Sequence, residues 1–421
     1  MATIILPPGS GSAALQAAIN SAPPGVNTII TISSDMVFTG IVTIPAGWII
    51  TLVANGNWSL IGGNFIGNAF NVNGTLNLGE ANPSPGTNLT ITGFNGSAIR
   101  PSGGVLTMYS GTISGNQSAE GGGLNIQNST FIMYGGEISN NEAGTGGGIT
   151  LAGLTSNFNM YGGSINGNEA GNGAGIIVIA GATFTMYGGI ISGNTANHGG
   201  GVEVRSAGSS FTMHGGEISG NFAAALWGGG GGVAVTHNAA NIFTMNGGTI
   251  SGNRANNNGG GVLIYSNNGN FTMTGGVIRS NEARYGGGIY NSALSEVNIS
   301  GTAEITNNTA TYNEEGRGGG IYTADFYRLT VIGPGVRFSN NRADFATHRE
   351  PENDTVYATH ILNMAGRWTR PFRQGYNNYD INQNGEIFEE EDCKLIIIIL
   401  ALFMFLCFPA NKPCGKDCCK R

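Results

Sequence analysis

Between residues 36 and 281 the chain carries only seven acidic side chains: Glu80, Glu120, Glu137, Glu142, Glu169, Glu203 and Glu217. Two of them, Glu142 and Glu169, sit in the same local sequence, Asn-Glu-Ala, 27 residues apart. In neighbouring turns of a stack their carboxyls would stand about 5 Å apart, the separation at which retaining glycosidases pair a nucleophile with an acid–base. The competing reading is two solvated corner residues, and it is preferred. Equivalent positions elsewhere hold Thr195, Phe222, Arg254 and Glu282, which is drift rather than a site. His198, His214 and His237 lack ligand spacing and read as surface residues. No nucleophile elbow, P-loop or zinc motif occurs. The expectation is a chain that is not an enzyme, with Glu142 and Glu169 as the acids to test.

Two further groups of residues carry chemistry. "DINQNGEIFEEE", residues 380 to 391, matches the calcium loop of an EF-hand, with Asp380, Asn382, Asn384, Glu386 (through its carbonyl) and Glu391 as oxygen ligands and Gly385 at the turn. The preceding "RQGYNNY" is a poor entering helix, so a plain acidic loop is the alternative to Ca²⁺. The second group is a strip: Tyr109, Tyr134, Tyr161 and Tyr187, then His214, each follow a methionine. Two residues before each stand Thr107, Ile132, Asn159, Thr185 and Thr212. Aromatic rings beside hydroxyls suit sugars; the alternative is that the tyrosines only stabilise one another.

What must position these residues is a repeat. "FTMYGGIISGN" (184–194), "FTMHGGEISGN" (211–221) and "FTMNGGTISGN" (243–253) are near copies. The closing asparagine recurs as Asn116, Asn141, Asn168, Asn194, Asn221, Asn253, Asn281, Asn308 and Asn341, at intervals of 25 to 33 residues. Gly-Gly-Gly-[Leu/Ile/Val] boxes end at Leu124, Ile149, Val202, Val233, Val262, Ile289 and Ile321, with Gly-Ala-Gly before Ile176. Alternating apolar residues, as in Phe184 and Met186, mark short strands, and no unit shows a helical period. One such unit cannot bury its apolar face alone, whereas stacked units can. The expectation is an all-β, single-chain, right-handed parallel β-helix with three strands per coil and about 11–13 coils. Like residues should pile up about 4.8 Å apart, with the asparagines bonding from coil to coil. Residues 9–22 form the one good helical stretch, expected to cap the first coil.

Composition sets the boundaries. Glycine supplies 73 of 421 residues and charged residues only 10%, against roughly 25% in ordinary domains. A net charge of −7 offers no basic stripe, so nucleic acid is not an expected partner. We divide the chain into a divergent start (1–104), the repeat (105–343), a capping segment containing Trp368 (344–392) and a tail (393–421). The tail holds all five cysteines and all four lysines. Its run "LIIIILALFMFLCF" reads as a short membrane anchor, an abnormal end or a buried helix. The first residues, "MATIILPPGSGSAALQ", do not read as a secretory signal peptide.

The Gly-Gly-Gly-[Ile/Val/Leu] boxes and the Ile/Phe-x-x-Asn boxes, ending in Phe338-x-x-Asn341, resemble the repeats of the polymorphic outer-membrane protein family and of β-helical adhesin-like surface proteins. The likeness covers about residues 105 to 343. It implies display at a microbial cell surface or secretion, and attachment to glycans or other cell-surface molecules. Two departures from that family are expected: residues 344–421 do not read as an autotransporter-type barrel, and residues 1–16 do not read as an export signal. The functional expectation is a non-catalytic adhesin-like protein whose ligand-binding face comprises Tyr109, Tyr134, Tyr161, Tyr187, Thr185, Thr212 and His214. The alternatives are a polysaccharide lyase or glycoside hydrolase of the pectate-lyase-like fold, and a purely structural stalk.

Overall fold

The structure, a computed structural model, describes residues 2–226, 228–237, 240–311, 316–324, 328–333, 335–344 and 381–383. Over these residues the chain is a parallel β-solenoid. Four sheets of 13, 12, 12 and 9 strands run along it, and each strand pairs with its counterpart one repeat earlier and one repeat later. The register superimposes like on like. Phe131, Phe158, Phe184, Phe211, Phe243 and Phe271 face one another in successive turns, as do the methionines two residues on. Alternation sends these side chains inward, where the six phenylalanines are fully buried and stack with centroids 4.5 to 4.8 Å apart. The main apolar core runs from Leu6 to Ile381, with two small alanine clusters apart from it.

The "Ser-Gly-Asn" corner has a definite physical basis. The residue before each ladder asparagine lies in the left-handed region: Gly193 has φ +62°, and Asn140, Ser280 and Asn307 occupy the same position at +52° to +56°. Glycine takes this conformation without steric cost and asparagine tolerates it. The kink turns the next asparagine inward. Asn194 donates through Nδ2 to Asn221 Oδ1 (2.9 Å) and to the carbonyl of Ile165 (3.0 Å). Its own Oδ1 accepts from the Asn168 backbone N–H and from Asn168 Nδ2, both at 2.9 Å. The pattern repeats without a gap from Asn116 to Asn341. The glycine boxes complete the corner: a Cβ at Gly148 would lie 2.6 Å from the Gly175 carbonyl oxygen, so no side chain fits there.

The three-strand expectation needs one correction. The residues after the ladder asparagine form a fourth short strand, Gln117–Glu120, Glu142–Thr145, Glu169–Asn172 and Thr195–His198, shrinking to two residues at Phe222–Ala223. Backbone groups leaving the bend still need partners, and the next coil supplies them. Only one small inward residue marks each strand, among them Ala143, Ala170 and Ala196, so the alternation is too short to read as a period.

The N-terminal end is closed as expected, with one added element. A strand, Ala2–Ile5, precedes the helix Ser12–Ser21 and pairs with Asn27–Ile32. The helix buries Leu15 and Ile19 and lies against Val42–Ile44, the first strand of its sheet. Gln16 then replaces a missing neighbour strand: its Oε1 accepts from the Thr43 N–H (2.6 Å) and its Nε2 donates to the Thr43 carbonyl (3.1 Å). These two bonds satisfy at Thr43 the backbone groups that a neighbouring strand would otherwise pair. At the other end, Ile381–Gln383 pairs with Ile321–Thr323.

Candidate functional site

The strip of tyrosines is a true column. Tyr109, Tyr134, Tyr161, Tyr187 and His214 stack in series with centroids 4.9 to 5.2 Å apart and ring planes within 13° of parallel. Below His214 the column continues as a hydrogen-bonded chain, His214 to Asn246 (3.4 Å) and Thr274 to Asn246 (2.9 Å). Tyr134, Tyr161 and Tyr187 are nearly half exposed. Because each ring covers the faces of its neighbours, what reaches solvent is ring edges and phenol hydroxyls. Beside the column, the outward residues of the same sheet align in register as Thr185, Thr212, Thr244 and Thr272. One strand position further on, Thr130, Asn157, Thr183 and Ser210 align likewise. The result is a face mostly of hydroxyls and amides, interrupted by Ile132 and Ile242, that carries no formally charged side chain from Val105 to Thr274.

The other sequence candidates are placed as follows. Glu142 and Glu169 are directly paired in adjacent fourth-sheet strands, and both are exposed. Their counterparts on either side are Gln117 and Thr195, so no further acid extends the pair. Of the calcium-loop residues, Asn382 falls on the strand Ile381–Gln383, while Asp380, Asn384, Glu386 and Glu391 lie outside the described residues. Among the described residues, no group of three His, Cys, Asp or Glu side chains is placed to hold a metal ion. Among them, too, no helix is long and apolar enough to cross a membrane; the apolar run 395–408 lies outside them.

A different site emerges on the glycine-box sheet. Its outward residues form a column, Asn125, Thr150, Ile177, Glu203, Ala234 and Leu263, and strand alternation alone would leave them in water. All six are instead buried. The glycine corner folds the preceding segment back over the strand, closely enough that a Cβ at Gly199 would lie 2.7 Å from the Glu203 Cβ. Glu203 therefore carries its carboxyl in the protein, 1% exposed. Thr236 Oγ1 donates to Glu203 Oε1 at 2.6 Å, and among the described residues Glu203 Oε2 has no hydrogen-bond partner. Burial pushes this carboxyl up to about 7, against the smaller opposing pulls of the Thr236 bond and Arg205.

One coil beyond Glu203 the covering layer thins. The fourth-sheet strand drops from four residues at Thr195–His198 to two at Phe222–Ala223, and the next ladder interval, Asn221 to Asn253, is 32 residues. The gap is a cleft of about 470 Å³ lined by His198, Glu203, Thr236, His237, Leu263 and Tyr265, with Gly228, Asn257 and Asn258 at its edge. Burial, then Arg205, lowers both His198 and His237, so both imidazoles favour the neutral form. His237 Nδ1 lies 3.3 Å from Thr236 Oγ1; a proton on that nitrogen completes a chain His237–Thr236–Glu203. The sequence pattern reads both histidines as surface residues and gives Glu203 no role of its own. The signal that could have found them was the lengthened interval after Asn221.

Compared with models of protein families, with curated proteins and with solved structures, the chain matches none of them.

Proposed function

We propose that this chain is an adhesin-like β-solenoid, displayed at a microbial cell surface or secreted, that binds glycan through the lateral face bearing the tyrosine column. One observation carries the reading: a flat, uncharged face on which hydroxyls and amides recur at each turn beside tyrosine edges that present their own hydroxyls. A long polymer with repeated hydroxyls can bond to successive rows, so many weak contacts add along one rigid surface. The asparagine ladder and the phenylalanine stack supply that rigidity, which keeps the ordering cost of binding low.

A glycan array probed with the intact chain tests this. Saturable binding to an extended glycan, weakened at least about tenfold by Tyr161→Ala, supports the face, since that change removes one hydroxyl and breaks the column. No binding across the array, or binding that Tyr161→Ala and Thr185→Val leave untouched, refutes it. The enzyme alternative makes a separate demand, cleavage of a polysaccharide lost in Glu142→Gln or Glu169→Gln. A purely mechanical stalk binds nothing and cleaves nothing.

A further inference from the structure

We propose that the cleft above Glu203 is a second ligand site, a pocket for a single uncharged sugar residue held between the Glu203 carboxyl and the Tyr265 ring. It stands on a different sheet from the tyrosine column and does not depend on the lateral-face reading.

The first argument is that the fold has no need of Glu203. The coils on either side place Ile177 and Ala234 at the same outward position, both buried and both compatible with the same register. A carboxyl there is a departure that the column does not require. The Oε2 atom is buried with no hydrogen-bond partner among the described residues, a situation that is rare for native polar groups and marks a place where a partner is missing.

The second argument is where the departure occurs. Glu203 stands in the last coil with a four-residue covering strand, at the step where that strand shortens to two residues and stays short in the coils that follow, and the cleft at that step is lined by the acid. The cleft is of the size that small-ligand pockets take. Its walls are mainly apolar, Leu263 and the Tyr265 ring, with the polar groups gathered at the floor and rim: Glu203, Thr236, His198 and His237. Tyr265 is 60% exposed, and no aromatic ring among the described residues stacks on it, in contrast to the tyrosines of the lateral column.

The third argument is charge. The groups facing Glu203 are Thr236, His237 and His198, with Arg205 on its own strand. Below neutral pH the carboxyl keeps its proton and the imidazoles lean towards neutrality, so the floor offers donors and acceptors rather than a fixed charge. A cation gains little there, and the described residues present no metal-binding group. A ring with hydroxyls at its edge and C–H bonds on its face matches both halves of the cleft: hydroxyls to Glu203 and the imidazoles, C–H face to Tyr265.

The test is saturation-transfer NMR at pH 6 on the intact chain, with free glucose, galactose, N-acetylglucosamine, N-acetylgalactosamine and glucuronate as probes. At least one of the four neutral sugars is expected to bind with millimolar or better affinity. Glu203→Ile, which copies the coil before it, and Tyr265→Ala, at an exposed position, should each weaken that sugar at least about tenfold. Should Glu203→Ile fail to fold, Tyr265→Ala still decides the matter. The proposal is overturned if no neutral sugar binds, if only glucuronate binds, or if Tyr265→Ala leaves the affinity unchanged.

Discussion

Replacing Asn194 by alanine and by aspartate separates what the ladder does by packing from what it does by hydrogen bonding. Asn194 is fully buried and takes part in four side-chain bonds. Alanine removes all four. Asn168 Nδ2 keeps the Ile138 carbonyl (3.0 Å) and Asn221 Oδ1 keeps the Asn194 N–H (3.0 Å), but the Asn168 N–H loses its acceptor. At about 1 kcal/mol net per bond, with the orphaned donor adding about 1 kcal/mol or more, the cost is on the order of 5 kcal/mol. Aspartate has the same shape and can still accept from Asn168. Its second oxygen, however, replaces a donor and meets two acceptors, Asn221 Oδ1 and the Ile165 carbonyl, and at neutral pH it buries a charge. Aspartate should therefore destabilise more than alanine at pH 7 and recover part of the difference at pH 4, where a protonated carboxyl can donate. Because a solenoid is held by nearest neighbours, native-state hydrogen exchange is the suitable assay. The Asn168 amide should lose protection strongly, while the Asn308 amide, four coils away, should change little. An alanine cost below about 1 kcal/mol, or an aspartate variant as stable as alanine at pH 7, would refute the ladder as the element that locks the coils together.

Three other changes have expected outcomes. Glu203→Gln keeps an acceptor for the Thr236 hydroxyl and removes an ionisable group raised from 4.5 to about 7. The unfolded chain gives up this proton near pH 4.5 and the folded chain only near 7, so native stability falls as pH rises between those values, by about 3 kcal/mol in all. Urea unfolding should find wild type and variant alike at pH 4 and the variant more stable at pH 8; equal midpoints at both would show that the carboxyl is not buried. Gly220→Ala meets no atom but must adopt φ +63°, so it should cost about 1 kcal/mol, whereas Gly220→Asn should cost less, as Asn140 and Asn307 hold the same corner. Phe211→Ala, at 0% exposure between Phe184 and Phe243, should cost about 3–5 kcal/mol and lower the thermal midpoint; a shift no larger than a surface substitution gives would argue against the internal stack.

The main architecture was legible because the solenoid writes each structural demand many times. Phe184 and Met186 alternate in a way that fixes an inward face, and their copies at Phe211 and Met213 fix the register. The asparagine after the glycine corner could be read as a ladder because a repeated buried amide needs a repeated partner. The fourth strand was not legible, since residues such as Thr195–His198 offer one inward alanine and nothing that alternates around it. Nor was the burial of Glu203. Between the inward Val202 and Val204 it faces out of its sheet, and what covers it is a backbone excursion through Gly199, which no property of the Glu203 strand announces. The tyrosines were read correctly as a column, but that their faces are used up by stacking follows only from the parallel ring planes.

In a molecule made of near-identical turns, a residue that repeats reports on the scaffold and one that does not has to be explained otherwise. Glu142 and Glu169 repeat, recur at Glu282, and stand in solvent, where a carboxylate costs almost nothing. Glu203 occurs once in its column, between an isoleucine and an alanine that serve the fold equally well. At neutral pH its burial works against stability, because the folded state holds back an ionisation that water would favour. Stability therefore cannot be the reason for a glutamate at this position. The step at which the fourth strand shortens, the histidines that line the same cleft, and Tyr265, on which no aromatic ring among the described residues stacks, coincide at this position, and a bound ligand would account for them together.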